Sequence, residues 1–306
     1  MPSDRSLRAR FVAYLQLVRP ANVVTAWADV LAGFAVAGAT LTLTGATAPV
    51  DGSVLGWLLV ATTGLYGGGI VLNDVFDAEL DMQERPERPI PSDRASRRGA
   101  AWFGGLLLAG GIAAASSVSV ASSALAVLVA AGAVLYDARA KHHTVSGPLV
   151  MGACRGGNLL LGVSAIPATM LASWYLVLLP IAYIAAITAI SQGEVHGGTS
   201  RTGYAALGLV VGVIASLLLL GGRTDYRVWH ALPFVLVLAV QVVPPFVRAA
   251  RTPSPEFIQS AVKVGVVALI PLNAALAAGF GGWVYGALVL LLLPLSVGLG
   301  RVFAVT

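Results

Sequence analysis

Long apolar runs alternate with short polar stretches along this chain, and each run is about as long as a helix that crosses a bilayer. The runs predict about nine membrane-spanning helices, near residues 17–38, 54–73, 99–118, 121–137, 147–166, 170–191, 203–221, 229–248 and 260–279. A last run, 283–299, either extends the ninth after Gly281 and Gly282 or makes a tenth. Gly and Pro recur inside the runs, as in membrane helices that pack closely or bend. The expected fold class is therefore all-α: a polytopic membrane bundle of about nine transmembrane helices, with residues 1–306 forming one transmembrane domain.

The polar stretches differ from one another. Arg5, Arg8, Arg10 and Arg19 precede the first span, and Arg85, Arg88, Arg94, Arg97 and Arg98 follow the second. Arg139 and Lys141 follow the fourth, Arg201 the sixth, and Arg248 and Arg251 the eighth. The opposite loops hold mainly Arg223 and Arg227. By the positive-inside rule the N-terminus and the charged loops are cytoplasmic. Nine spans leave the C-terminus outside; ten bring it inside, near Arg301. Met1 to Arg19 is basic without a cleavage-site pattern, so the first run is expected to stay as a helix of an integral protein, in a bacterial inner (plasma) membrane.

Composition sharpens this. The chain is 57% hydrophobic and 11% charged, with mean hydropathy +0.84, which excludes a soluble enzyme. The net charge of +5 sits in the short loops, so the expected partner is the lipid bilayer and no nucleic acid. Cys154 is the one cysteine, so no intrachain disulfide forms; it reads as a small buried spacer.

Asn73-Asp74-Val75-Phe76-Asp77-Ala78-Glu79-Leu80-Asp81 is the densest polar stretch and follows directly on the second run. Asn73, Asp77 and Asp81 are four apart, and on a helix each step of four advances about 40°, so they predict one oxygen-rich stripe. Such oxygens suit a hard cation such as Mg²⁺, which completes its shell with water and substrate phosphates. Asn73, Asp74, Asp77 and Asp81 are the candidate ligands, and Arg85 and Arg88 are candidate donors to phosphate oxygens. Metal-binding carboxylates beside phosphate-binding arginines at a membrane surface point to chemistry on a lipid diphosphate.

These residues also carry a family resemblance. N-D-x-x-D-x-x-x-D, followed by Arg85, Arg88 and Pro89 as R-x-x-R-P, resembles the first signature of the UbiA family of membrane prenyltransferases. Arg19-Pro20-Ala21-Asn22 resembles the opening of that family's first span. Tyr136 with Lys141 resembles its Tyr and Lys pair, and Gly157-Asn158 a recurring Gly-Asn in its fifth span. The resemblance implies helices around a central cavity, an isoprenyl diphosphate donor held by Mg²⁺ between two acidic motifs, and capture of the prenyl cation by a small acceptor. It implies substrate-binding roles for Arg19, Asn22, Asn73, Arg85, Arg88, Tyr136, Lys141 and Asn158, and catalytic roles for Asp77 and Asp81. Physical chemistry agrees: departing diphosphate needs cations, and a dry cavity protects a carbocation from water.

The second acidic motif departs from the pattern. Ser191-Gln192-Gly193-Glu194-Val195-His196-Gly197-Gly198 keeps one carboxylate, with Gln192 and His196 at the four-apart positions. The expectation is that Glu194 holds metal, that Gln192 touches substrate, and that His196 orients or deprotonates the acceptor. The family resemblance implies an acceptor that is usually aromatic, whereas this version of the motif resembles a divergent branch, the UbiA-like EboC group, which implies a non-aromatic polyol such as a cyclitol. Inside the runs, Asp29, Arg155, Asn158, Gln241, Lys263 and Asn273 are polar. Groups at such depth usually face a cavity or one another, so Arg155 and Asn158, three apart, are expected to line the substrate pocket. Two rival readings stand beside this one: a polyprenyl-phosphate glycosyl (phosphoribosyl-type) transferase on the same scaffold, and a membrane transporter.

Overall fold

The computed structural model describes residues 4–39 and 51–303, and these residues are helical with no strand among them. Fifteen α-helices follow in order: α1 (Asp4–Val18), α2 (Pro20–Val36), α3 (Gly52–Phe76), α4 (Ala78–Glu84), α5 (Arg97–Ser116), α6 (Val120–Ala138), α7 (Ser146–Val163), α8 (Met170–Ser173), α9 (Leu178–Ser191), α10 (Ser200–Leu219), α11 (Val228–Arg251), α12 (Pro255–Val267), α13 (Leu269–Gly281), α14 (Trp283–Leu290) and α15 (Leu292–Val302). The starts obey local chemistry. Ser96, Ser119 and Thr199 accept from the first free amides of α5, α6 and α10. Pro opens α2 and α12, where its missing N–H costs nothing.

Eight of the helical stretches are long and apolar enough to cross a membrane. α2, of 17 residues, and α7, which carries Arg155, run beside them as two further legs among the described residues. The expected first span, 17–38, is divided at Arg19, whose left-handed φ of 50° breaks α1 from α2. α1 then packs Ala13 and Leu17 against Val71, Ile90 and Ala100, closing over the loop that follows α4. The expected Gly-Gly break is real: Gly282, at φ 91°, separates α13 from α14. The chain then turns back, and Ser296 Oγ donates to the Ala21 carbonyl at 2.9 Å. The last run is thus a separate returning leg, and the helix that bears Arg301 ends on the same face as Arg19.

One apolar core extends from Val24 on α2 to Val289 on α14. Small residues let legs meet backbone to backbone. A Cβ at Gly68 would stand 2.8 Å from the Gly104 carbonyl, so α3 and α5 meet closely there. At Gly33 a Cβ would strike the Leu159 carbonyl, so α2 and α7 touch there. That approach brings Asp29, one turn before Gly33, against Arg155 and Asn158 of α7.

Candidate active site

α2, α3, α6 and α7 enclose a cavity of ≈ 220 Å³ that opens on the Arg19 face. Its wall is mainly apolar, with Leu65, Ile70, Val129 and Met151. Among its polar residues are Arg19, Asn22, Tyr66, Asn73, Tyr136, Asp137, Arg155 and Asn158. Six sequence-predicted residues therefore share one chamber: Arg19, Asn22, Asn73, Tyr136, Arg155 and Asn158. Cys154, expected as a buried spacer, is half-buried and also lines the chamber.

The mouth is built where α3 gives way to α4. A one-residue break at Asp77 turns the chain, although its amide still bonds the Asn73 carbonyl at 2.9 Å. The expected single stripe of Asn73, Asp77 and Asp81 is thereby divided, and each takes a different partner. Asn73 Nδ2 donates to Asp137 Oδ1 at 2.7 Å. Lys141 Nζ donates to Asp77 Oδ1 at 2.5 Å and lies 4.0 Å from Asp137. Arg88 Nη1 reaches both oxygens of Asp81, at 2.9 and 2.7 Å, and lies 3.5 Å from Asp74. Arg19 Nη2 donates to Asp74 Oδ1 at 2.5 Å. Asp74 is thus the hub that ties Arg19 to Arg88.

Among the described residues no three His, Cys, Asp or Glu side chains converge as a metal site. The donor set nevertheless fits a hard cation with a bound diphosphate. Asp74, Asp77 and Asp81 each meet a cation at the mouth, Arg19, Lys141 and Arg88 in turn, so a cation there needs only one or two of these carboxylates beside diphosphate oxygens, and buried Arg88 Nε has no hydrogen-bond partner. The ammonium of Lys141 already occupies the space between Asp77 and Asp137, so positive charge is stable there.

The second motif lies apart from the chamber. Glu194 is half-buried, and its carbonyl accepts from Gln259 Nε2 at 3.0 Å. Burial pushes its carboxyl up, while Arg85 and Lys263 oppose that rise. Gln192 and His196 are exposed. Gln192 lines a separate recess of ≈ 200 Å³ with Thr199, Thr202 and Pro253, and neither residue lines the chamber.

Reading the sequence missed Asp137. It is 4% exposed, is part of the chamber wall, and bonds Asn73. Its signal was available: an acid at the end of a span, four residues before Lys141. Deeper down, Asp29, Asn158, Asn273 and Thr62 form a network that spacing alone did not assemble. Asn273 Nδ2 and Asn158 Nδ2 donate to the two oxygens of Asp29, and Thr62 Oγ1 donates to Asn158 Oδ1.

Fold and site together define a membrane-embedded helical bundle with one charged mouth on a mostly apolar chamber. The UbiA prenyltransferase family model matches residues 31–304, and the chain belongs to that family. It is similar to digeranylgeranylglyceryl phosphate synthases: 36% identical to that of Methanothrix thermoacetophila over 52% of this chain and 57% of the relative. Against the Halobacterium salinarum protein it is 30% identical over 65% of this chain and 68% of the relative. The chain spans about half the length of several curated relatives it matches. Its fold is similar to a solved structure concerning digeranylgeranylglyceryl phosphate synthase in membranes (TM-score 0.64, 20% identity, 88% of this chain and 98% of that one). It is also similar to a UbiA homologue from Archaeoglobus fulgidus bound to DMAPP and Mg²⁺ (TM-score 0.61, 16% identity, 90% and 98%).

Proposed function

We propose that this protein transfers an isoprenyl group from its diphosphate to a small acceptor at the membrane, with Mg²⁺. The observation that carries this is the gathering of Arg19, Arg88 and Lys141 with Asp74, Asp77 and Asp81 at the open end of an apolar chamber. Membership of the UbiA family and the names of its relatives support the same reading.

The diphosphate sits at the mouth, where Arg19, Arg85, Arg88 and Lys141 take its oxygens. Asp74, Asp77 and Asp81 would hold Mg²⁺, which when bound supplies Lewis-acid neutralisation of the leaving diphosphate. The prenyl C1–O bond breaks and its electron pair leaves with the diphosphate. C1 then bonds the acceptor nucleophile, which gives up a proton. The chamber wall, with Leu65, Ile70, Val129 and Met151, excludes water from the cation. Glu194 is assigned here to the outer edge of the site, as metal support, whereas exposed His196 lies outside the chamber and takes no acceptor role.

Purified protein in nanodiscs should bind geranyl diphosphate only with Mg²⁺ and release diphosphate on prenyl transfer. Binding of a sugar diphosphate instead would support the glycosyl-transfer rival, and solute flux without transfer the transporter.

We also place the mouth in the cytoplasm of a plasma membrane, from the arginine asymmetry. The similar relatives are archaeal, so they lend no support to a bacterial source. A cysteine at Ser92, in a background lacking Cys154, should resist an impermeant label added to intact cells. Ready labelling would invert the topology.

A further inference from the structure

We propose that Arg155 recognises the acceptor, and that it takes an uncharged oxygen, a hydroxyl or ether of a polyol, rather than a phosphate or carboxylate. This rests on the prenyltransferase reading and narrows its acceptor.

Arg155 is 2% exposed and forms part of the chamber wall. Its Nη2 is used: it donates to the Thr25 carbonyl and hydroxyl at 3.2 and 3.1 Å. Its Nε lies 3.1 Å from Asp29 Oδ2, as an ion contact rather than a hydrogen bond. Its Nη1 has no partner at all. The neighbours are saturated. Asp29 accepts from Asn158 and Asn273, and the Asn158 carbonyl oxygen accepts from Thr62. The Tyr66 ring lies 5.0 Å from the guanidinium carbon and covers its face. A buried cation with a spare N–H beside a cavity is a donor that awaits an oxygen there.

Depth assigns that oxygen to the acceptor rather than the diphosphate. Thr25 stands six residues beyond Arg19 on α2, about 9 Å further in at 1.5 Å per residue. Tyr66 stands seven residues before Asn73 on α3, about 10 Å in by the same rise. A diphosphate held by Arg19 and Arg88 at the mouth leaves this level to another group. Charge then assigns the oxygen as neutral. Asp29 already balances Arg155, and Leu65, Val129 and Met151 are neighbours in the chamber wall. A phosphate or carboxylate placed here would be a buried net charge without its own counter-ion. An acceptor that offers one oxygen to the prenyl C1 and a second to Arg155 is a polyol. Asp29 acts as a positioning residue, since it fixes the guanidinium and touches no substrate.

The test uses the full chain in nanodiscs with Mg²⁺, geranyl diphosphate as donor, and two acceptors: a prenylglycerol ether and its phosphate monoester. Arg155→Lys keeps the charge and loses the fork, and Asp29→Asn with Arg155→Gln removes the pair as a neutral unit. Both should raise the KM of the prenylglycerol ether about 30-fold and move donor Kd by less than about twofold, and the wild-type protein should use the phosphate monoester, whose third oxygen is charged, about tenfold less well. A loss about tenfold greater for the phosphate would make Arg155 an anion site and overturn the proposal. So would a parallel loss of donor affinity, or an unchanged KM. Should neither variant fold, the wild-type protein decides: removing the glycerol hydroxyl that does not react should lower kcat/KM about 30-fold, and equal turnover overturns the proposal. Failure of the wild-type protein to bind geranyl diphosphate strikes the prenyltransferase reading itself, and this proposal with it.

Discussion

At the mouth, Asp77 meets Lys141, whose side chain is 12% exposed; in the interior, Asp29 meets Arg155, and neither side chain is more than 3% exposed. Both are acid–base pairs, and both contribute to one chamber. Their surroundings differ. Lys141 has a second carboxylate, Asp137, 4.0 Å away, and the mouth holds further cations and acids within reach. Asp29 is instead locked by two amides from α7 and α13, and its cation has no other acid partner. The mouth is a set of exchangeable partners, suited to admit a charged ligand. The interior is a fixed strut that ties α2 to α7 and α13. The comparison teaches that an ion pair admits a charged ligand where its partners can be traded, and holds a group at a fixed place where they cannot.

The interior strut should give the largest effect on stability. Asp29→Ala leaves a buried guanidinium unpaired, and breaking such a pair costs about 3–5 kcal/mol. Replacing both partners by apolar residues, as in Asp29→Leu with Arg155→Met, should restore most of that loss. Thermal unfolding of the detergent-purified single and double variants measures this. A single-variant loss below about 1 kcal/mol would show the pair to be no strut.

The mouth should respond the other way round. Asp77→Ala lets Lys141 turn to Asp137, so stability should change by less than about 1 kcal/mol. Mg²⁺-dependent affinity for geranyl diphosphate should fall about 100-fold, because a carboxylate is lost from the proposed metal set. Unchanged affinity would remove Asp77 from that set. The second motif should respond less. Glu194→Gln should weaken donor binding about tenfold, as a supporting rather than direct ligand. His196→Ala should leave donor binding and transfer unchanged, because the exposed ring lies outside the chamber. Equal loss of donor affinity in both variants would merge them into one site.

The two regions were also unequally legible. The mouth was readable because its residues are close in sequence: Asn73 to Arg88 carry a spacing that points to metal and phosphate. Even there the helix break at Asp77 changed the partners, because spacing assumes an unbroken helix. Asp137 was overlooked because the basic residues after α6 read as topology anchors, and only the fold puts it opposite Asn73. In the interior, Asp29 and Arg155 stood out as ionisable residues within spans, but spacing could not choose their partners. The contacts that do so join residues more than a hundred positions apart, such as Asp29 with Asn273. The tenth leg was undecided for a similar reason: the Gly281–Gly282 break marks a turn, but only the Ser296 contact with Ala21 shows where the chain goes next.

A third ion pair gives the smallest expected effect and tests whether burial, not geometry, separates the other two. Arg223 Nε and Nη2 donate to the two oxygens of Asp225, both at 2.8 Å. This fork is better formed than the contact between Arg155 and Asp29, yet the side chains are 39% and 51% exposed. The hydrogen bonds from Arg223 hold the Asp225 carboxyl below its ordinary value. A group whose folded pKa is depressed adds stability above its unfolded pKa and loses it as pH falls through the folded one. Asp225→Ala should therefore cost something only at neutral pH, and less than about 1 kcal/mol because water and salt screen the pair. At a pH below the folded value, variant and wild type should unfold together. If Asp225→Ala instead destabilises as much as Asp29→Ala, the quality of the fork and not its burial sets the cost. The contrast between strut and mouth would then need another cause.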